Sequence, residues 1–134
     1  MNKQEMFTKV WRGLQAQGWQ KSEGPNERNR DNGVGCLYRG PNGMKCAAGH
    51  LIPDEMYYPE MEGEHILFLL GMKPGIFGEP ITQGVASFVY NMQQAHDNFL
   101  VLKENKATGA YDDMKSAFIG FAEYHNLTIP GDAT

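Results

Sequence analysis

The chain has 134 residues, of which 41% are hydrophobic and 21% are charged, and it carries a formal net charge of −4 at pH 7. These values are typical of one globular domain with one core, and two cysteines are too few for a disulfide framework. The acidic balance and the absence of an apolar run longer than five residues predict that neither nucleic acid nor a membrane is a partner. The polar N-terminus and the few cysteines predict a cytoplasmic location.

The N-terminal part of the chain predicts a helix followed by a long loop. Apolar residues between positions 4 and 17 recur at three- and four-residue spacing, and Gly18 follows as a stop signal. These residues are Phe7, Val10, Trp11 and Leu14. Residues 21–35 are polar and contain Gly-Pro and Asn-Gly dipeptides, which predict a loop. Loops of this length often bind ligands, so Arg28 and Arg30 are candidate binding residues; the alternative is a disordered or solvated loop with scattered arginines.

The pattern of residues 36–48 predicts a β-hairpin. Its turn is Gly40-Pro41-Asn42-Gly43, in which the central residues suit a type I turn and the last glycine suits the left-handed position after them. This register places four residues on one face, namely Cys36, Tyr38, Cys46 and Ala48. The two thiols are diagonal neighbours there, an arrangement that does not favour a disulfide.

The C-terminal half predicts two longer helices. Residues 64–70 suit either a short buried strand or a helix, and periodicity does not decide between them. Apolar positions recur at helical spacing over residues 82–102 and 111–125. We therefore expect an α+β fold with one domain over residues 1–130. It has an N-terminal helix, a central β-hairpin and two C-terminal helices packed over the hairpin, and a flexible tail at residues 131–134 ends the chain.

A zinc site is one chemical hypothesis for the central segment, residues 36–55. Cys36, Cys46 and His50 would supply three ligands of the type that zinc prefers, with His65 or Asp54 as the fourth. Structural zinc sites use short paired spacings, however, and only Cys46 and His50 are close in sequence. Buried free thiols are the commoner alternative, so no cofactor is expected, and zinc or Mg²⁺ would enter only with one of the site hypotheses.

A metal-dependent nuclease is the enzymatic hypothesis. The segment Gly49-His50-Leu51-Ile52-Pro53 is similar to the core motif of histidine-metal finger endonucleases, in which a histidine deprotonates water and a divalent ion holds the phosphate. His50 would be the base, and Asn91 or residues 96–98 would supply metal ligands. Strands are then expected at residues 44–50 and 66–70. The alternative is that the motif only shapes a turn.

A nucleophilic cysteine is a third hypothesis, with Cys46 activated by His50 or His96. Asp97 could orient His96, but consecutive helical residues point about 100° apart, so this pair is weak evidence for a catalytic site. A histidine on an apolar helix face is more often a hydrogen-bonded core residue than a catalytic one.

The central residues also form a signature. It comprises C-x-Y-R, then G-x-K-C-A-x-G-H/C-L-I-P-D-E-x-Y, then E-G, and Q-x-A-H-D on the predicted long helix. It is carried here by Cys36, Tyr38, Arg39, Gly43, Lys45 to Ala47, Gly49 to Glu55, Tyr57, Glu62, Gly63 and Gln94 to Asp97. This pattern resembles a family of small proteins encoded by tailed phages and prophages. The family pattern allows either histidine or cysteine at the position of His50. This alternation would fit a metal ligand, and it fits a small buried polar residue equally well.

The resemblance implies a genomic setting and not an activity. It implies an accessory protein, made in the cytoplasm of a bacterial host, that inhibits or sequesters a host defence component. A binding protein is therefore favoured over an enzyme, with a host protein complex or a small molecule as its partner. The residues expected to bind are Arg28, Arg30, Tyr38, Arg39, Lys45, His50, Asp54 and Glu55.

Overall fold

The computed structural model describes residues 1–25, 34–81, 83–103 and 106–131. Within these residues the chain forms four α-helices and two antiparallel pairs of short strands. The helices are α1 (Lys3–Ala16), α2 (Ile66–Met72), α3 (Gln83–Asn98) and α4 (Met114–His125). The strands are β1 (Glu23–Pro25), β2 (Val34–Cys36), β3 (Leu100–Lys103) and β4 (Lys106–Ala110). The predicted α+β class is therefore confirmed, and the tail from residue 132 lies outside the described residues.

One hydrophobic core joins α1, α3 and α4. The ring of Phe7 on α1 stacks on Phe121 of α4, with 5.9 Å between their centroids. Phe121 in turn lies 5.2 Å from the ring of Phe88 on α3. A 3₁₀ segment, Ala48–Leu51, packs against α1 and α3 and is buried at Ala48, Gly49 and Leu51. The helices thus place the central segment, and its histidine, beside the C-terminal end of α1.

The helix ends follow local capping. The side chain of Asn2 accepts a hydrogen bond from the Glu5 N–H at 2.8 Å, and the predicted first helix is confirmed over Lys3–Ala16. The predicted helix over residues 82–102 is too long, because Phe99 adopts a φ of 56° and the chain then enters β3. The last helix begins at Met114 and not at 111, because Asp113 is its N-cap.

The segment predicted as either strand or helix is the helix α2. The imidazole of His65 caps it by accepting a hydrogen bond from the Leu67 N–H at 3.1 Å. This helix buries Leu69 and Leu70 and exposes Phe68 and Met72. Among the described helices, none combines the length and the apolar composition needed to cross a bilayer.

The strand pairs lie outside the predicted hairpin except at Cys36, its first residue, which ends β2. β1 pairs with β2, so the prediction that residues 21–35 hold no regular element is wrong at both ends of that segment. The two strands are only three residues long, and their sequences EGP and VGC are too short to show an alternation that would signal them. The hairpin of β3 and β4 likewise lies where the pattern predicts a helix end and a connection, since LVLK extends the apolar pattern of α3.

The register predicted for residues 36–48 is wrong beyond the turn. Gly43 does adopt the left-handed conformation, with φ of 76°, and the Gly40 N–H donates to the Met44 carbonyl at 2.8 Å. Asn42 also has a positive φ, 59°, which a type I turn does not allow at this position. No strand comes after the turn in this fully described region, and Ala48 begins a 3₁₀ segment instead.

Candidate functional site

The carboxylate of Glu62 binds the backbone of the predicted first strand of the hairpin. Its Oε1 accepts a hydrogen bond from the Tyr38 N–H at 2.8 Å, and its Oε2 accepts one from the Arg39 N–H at 3.0 Å. The Tyr57 hydroxyl also donates to Oε2, at 2.8 Å. Burial and this hydrogen bond raise the pKa of Tyr57 to about 12. One side chain therefore satisfies two consecutive backbone donors.

The guanidinium of Arg39 binds the C-terminal part of the central segment, residues 49–54. It donates to the backbone carbonyls of Gly49 at 2.9 Å and Ile52 at 2.7 Å, and to Asp54 Oδ1 at 3.0 Å. It also lies over the ring of Tyr57, 4.9 Å from the centroid. Arg39 and Asp54, both predicted as binding residues, are thus brought together as parts of the scaffold.

The side-chain amide of Gln17 joins the end of α1 to the central segment. Its Nε2 donates to the Lys45 carbonyl at 2.8 Å and to the Gln20 carbonyl at 2.9 Å. Its Oε1 accepts from the Lys45 N–H at 3.1 Å and contacts His50 Nε2 at 3.0 Å. These four contacts assign the orientation of the amide, because only its oxygen can accept from a backbone N–H. Sequence reasoning missed Gln17, since nothing in a helix-terminal glutamine signals a partner twenty-eight residues away.

His50 is consequently assigned as a neutral imidazole with its proton on Nε2. Gln17 Oε1 can only accept, so His50 Nε2 is the donor in their contact. Burial lowers the pKa of His50 to about 4, and the positive charges of Lys45, Arg39 and Lys9 act in the same direction. The ring packs directly on Gly13, where a β-carbon would overlap it.

A surface cleft of about 480 Å³ opens beside this histidine. Its walls are the C-terminal turn of α1 on one side and the turn and loop after Gly40 on the other. The lining residues are Gly13, Ala16, Gln17, Asn42, Gly43, Met44, Lys45 and His50. The contacts of Gln17 therefore connect the two walls directly.

A second polar network lies under the central segment, on α3. Gln93 Oε1 accepts from the Ala48 N–H at 2.9 Å, and Gln93 Nε2 donates to Asp97 Oδ1 at 2.7 Å. The same oxygen lies 2.7 Å from Nδ1 of the fully buried His96, whose Nε2 accepts a long 3.4 Å hydrogen bond from the Ser22 N–H. The consecutive pair His96 and Asp97 does interact, contrary to the helical-wheel argument, but its partners are structural groups of the core.

The thiol of Cys46 is buried in this part of the core. Its Sγ accepts from the Gly49 N–H at 3.4 Å, and burial, together with the charge of Asp97, raises the pKa of the thiol far above its ordinary value. A thiol in this setting stays protonated and is a poor nucleophile. Tyr38 is buried as well, and its hydroxyl donates to the Glu64 carbonyl at 2.6 Å.

The other predicted site residues are dispersed. Glu55 is exposed, and Asn91 is partly buried on α3 with no described hydrogen bond to His50. Arg28 and Arg30 lie outside the described residues, as does the side chain of Cys36. Within the described ranges, no three His, Cys, Asp or Glu side chains form a group that could hold a metal ion.

Comparisons of the chain with protein-family models, with curated proteins and with solved structures find no match. The geometry therefore carries the functional argument. The strand, loop, strand, helix order expected for the nuclease hypothesis is wrong here, because residues 44–50 end in a 3₁₀ segment and residues 66–72 form α2.

Proposed function

We propose that the chain is a non-enzymatic binding protein, of the accessory kind with which phages inhibit or sequester a host component. The observation that carries this proposal is the cleft beside His50, whose two walls are joined by the side chain of Gln17 in the free protein. A site held in shape before binding loses little conformational entropy when the ligand enters, which favours tight capture.

The groups that could do chemistry nearby have structural partners instead. His50 donates to Gln17, Cys46 accepts from a backbone amide, and His96 is fully buried between Asp97 and the Ser22 amide. A general base or nucleophile must reach the substrate atom on which it acts, and these contacts oppose that. Stoichiometric binding needs no such group.

The phage setting rests on the signature, and the scaffold gives its residues a physical role. Tyr38, Arg39, Glu62 and Gln17 together hold the central segment against α1, and the first three belong to the signature. A protein that acts by occupying a host component needs such a rigid surface more than it needs reactive side chains. We propose that it acts in the host cytoplasm.

Native mass spectrometry tests the proposal. The purified protein is weighed before and after exposure to a bacterial lysate, alongside the variants Ala16→Leu and Gln15→Leu. Ala16 is exposed and lines the cleft, whereas Gln15 is exposed one residue earlier and does not line it. We expect an added mass on the wild-type protein and on Gln15→Leu that Ala16→Leu loses. A bare monomer throughout, or equal retention by all three proteins, would overturn the proposal.

The enzymatic alternative has its own assay. Plasmid DNA is incubated with the wild-type protein and Mg²⁺, Mn²⁺ or Zn²⁺, and with His50→Ala as the matched variant. We expect no cleavage by either protein, because His50 is held by Gln17 and packs on Gly13. Metal-dependent cleavage by the wild-type protein that His50→Ala abolishes would establish the nuclease instead.

A further inference from the structure

The lining of the cleft combines open space, soft apolar surface and charge. A β-carbon at Gly43 would meet nothing within 4 Å, and Ala16 on the opposite wall contributes only a methyl group, so there is room for a flat body between them. Met44 and His50 add a thioether and an imidazole, both of which pack favourably against aromatic rings. A cleft of about 480 Å³ is within the size range of small-molecule sites.

The charges around the cleft are predominantly positive although the whole chain is acidic. Lys45 lines the cleft, and its Nζ is only loosely paired, 4.0 Å from Asp54 Oδ1, because Arg39 holds the same oxygen at 3.0 Å. On α1, Lys9 precedes Gly13 by four residues and Arg12 precedes Ala16 by four, so both exposed cations lie on the helical face that borders the cleft.

The field of these cations acts on the cleft floor. After burial, the largest effects on the pKa of His50 come from cations, among them Lys45, Arg39 and Lys9, and all of these lower it. A net positive site in a chain of charge −4 attracts anions selectively. The carboxylate of Asp54 lies 4.0 Å from the Lys45 ammonium, and the Asp54 side chain is mostly exposed to solvent.

We infer that this cleft binds a small anion with a planar aromatic body, of the nucleotide class. The ring would lie between Ala16 and Gly43, against Met44 and His50. The phosphate would pair with the Lys45 ammonium, whose charge-assisted hydrogen bonds suit phosphate oxygens. This inference rests on the proposed function and specifies the ligand of the same site.

Amide chemical-shift mapping by NMR tests the inference. Adenosine 5′-monophosphate, adenosine and inorganic phosphate are titrated separately into ¹⁵N-labelled protein. We expect the nucleotide to shift the amides of Gly13, Gly43 and Lys45, and we expect adenosine and phosphate to bind at least about tenfold more weakly. Lys45→Gln removes the proposed phosphate contact, and we expect it to weaken nucleotide binding about tenfold. Lys73→Gln makes the same change at an exposed lysine outside the lining and leaves the affinity unchanged.

Three results would overturn the inference. These are no shift at the cleft amides with the nucleotide, equal binding of adenosine and the nucleotide, or equal loss of affinity in Lys45→Gln and Lys73→Gln. The lysate experiment separates this failure from failure of the proposed function. If a small added mass survives on the wild-type protein and is lost by Ala16→Leu while nucleotides do not bind, the binding function stands and the ligand class is wrong.

Discussion

The neutral state of His50 is imposed by contacts on both of its ring nitrogens. Gln17 Oε1 holds Nε2, and Nδ1 faces Gly13 on α1, where the backbone leaves no room for a side chain. Protonation would add a charge to a ring already surrounded by Lys45, Arg39 and Lys9. In this structure His50, the base of the nuclease hypothesis, packs on α1 and donates a hydrogen bond to Gln17 at the base of the cleft.

Stability should fall in acid through this histidine. The pKa of His50 is lowered to about 4 in the folded protein from its unfolded value of 6.5, so the unfolded state binds a proton first as the pH falls. The free energy of unfolding should decrease between pH 6.5 and pH 4 by about 2 kcal/mol, after allowance for partial solvent screening of the ring. Urea unfolding at several pH values measures this loss.

The control for this pH dependence is His50→Gln, which keeps a donor toward Gln17 and does not titrate. Carboxylates and the other histidines titrate in both proteins, so the difference between the two curves isolates His50. A difference that is constant from pH 7 to pH 4 would contradict the lowered pKa.

Gly13 should be intolerant of a methyl group. A β-carbon at this position would overlap the ring of His50, so Gly13→Ala should destabilise the fold by about 1–3 kcal/mol despite the better helix propensity of alanine. Gly71→Ala on α2 is the control, because a β-carbon there meets nothing within 4 Å, and it should stabilise by up to about 1 kcal/mol. Thermal unfolding followed by circular dichroism measures both changes. If His50→Ala fails to relieve the penalty at Gly13, the proposed overlap is not its cause.

At the scale of the element, side chains and not strand pairing hold the segment predicted as a hairpin. Glu62 accepts from the Tyr38 and Arg39 amides, and Gln17 pairs with both backbone groups of Lys45. The segment between them is then free to form the 3₁₀ turn Ala48–Leu51 against α1 and α3. Local turn chemistry predicted Gly43 correctly, but these two long-range partners determine the path of the chain after the turn.

Glu62→Gln should loosen this element. The carboxylate accepts three hydrogen bonds, and an amide would direct an N–H toward at least one of the donors, leaving it unpaired. We expect a loss of about 2 kcal/mol in the free energy of unfolding, measured with urea. Glu55→Gln makes the same change at an exposed position and should stay within about 0.5 kcal/mol of wild type. Equal stability of the two variants would show that the Glu62 network contributes little.

The helices and the fold class could be predicted from the sequence because their signals are local. Apolar periodicity located α1, α3 and α4 to within a few residues, apart from the C-terminal end of α3. The short strands could not be located, since β1 and β2 have no alternation and β3 continues the apolar pattern of α3. The candidate site was predicted in part: Lys45 and His50 do line the cleft, but Gln17 comes from a distant element and carries no sequence signal.

At the scale of the whole molecule, the cleft depends on how α1 is held. One wall of the cleft is formed by the C-terminal end of α1 and its C-cap, namely Gly13, Ala16 and Gln17. The same helix buries Phe7 in the core, so core packing sets the position of this wall. Phe7 meets Phe121 of α4, and Phe121 meets Phe88 of α3, which links three helices through one ring. Loss of that ring should therefore affect both stability and the cleft.

Phe121→Ala should destabilise the whole chain by about 3–5 kcal/mol, because the ring is fully buried and its removal leaves a cavity between three helices. Phe68→Ala is the matched control, since Phe68 is 52% exposed on α2, and it should cost less than about 1 kcal/mol. Urea unfolding is followed both by circular dichroism, which reports the helices, and by fluorescence of Trp11 and Trp19, which pack together at the end of α1. One core predicts coincident transitions by the two probes in each protein. Separate transitions, or equal costs for the two phenylalanines, would mean that the aromatic cluster does not couple α1 to the rest of the fold.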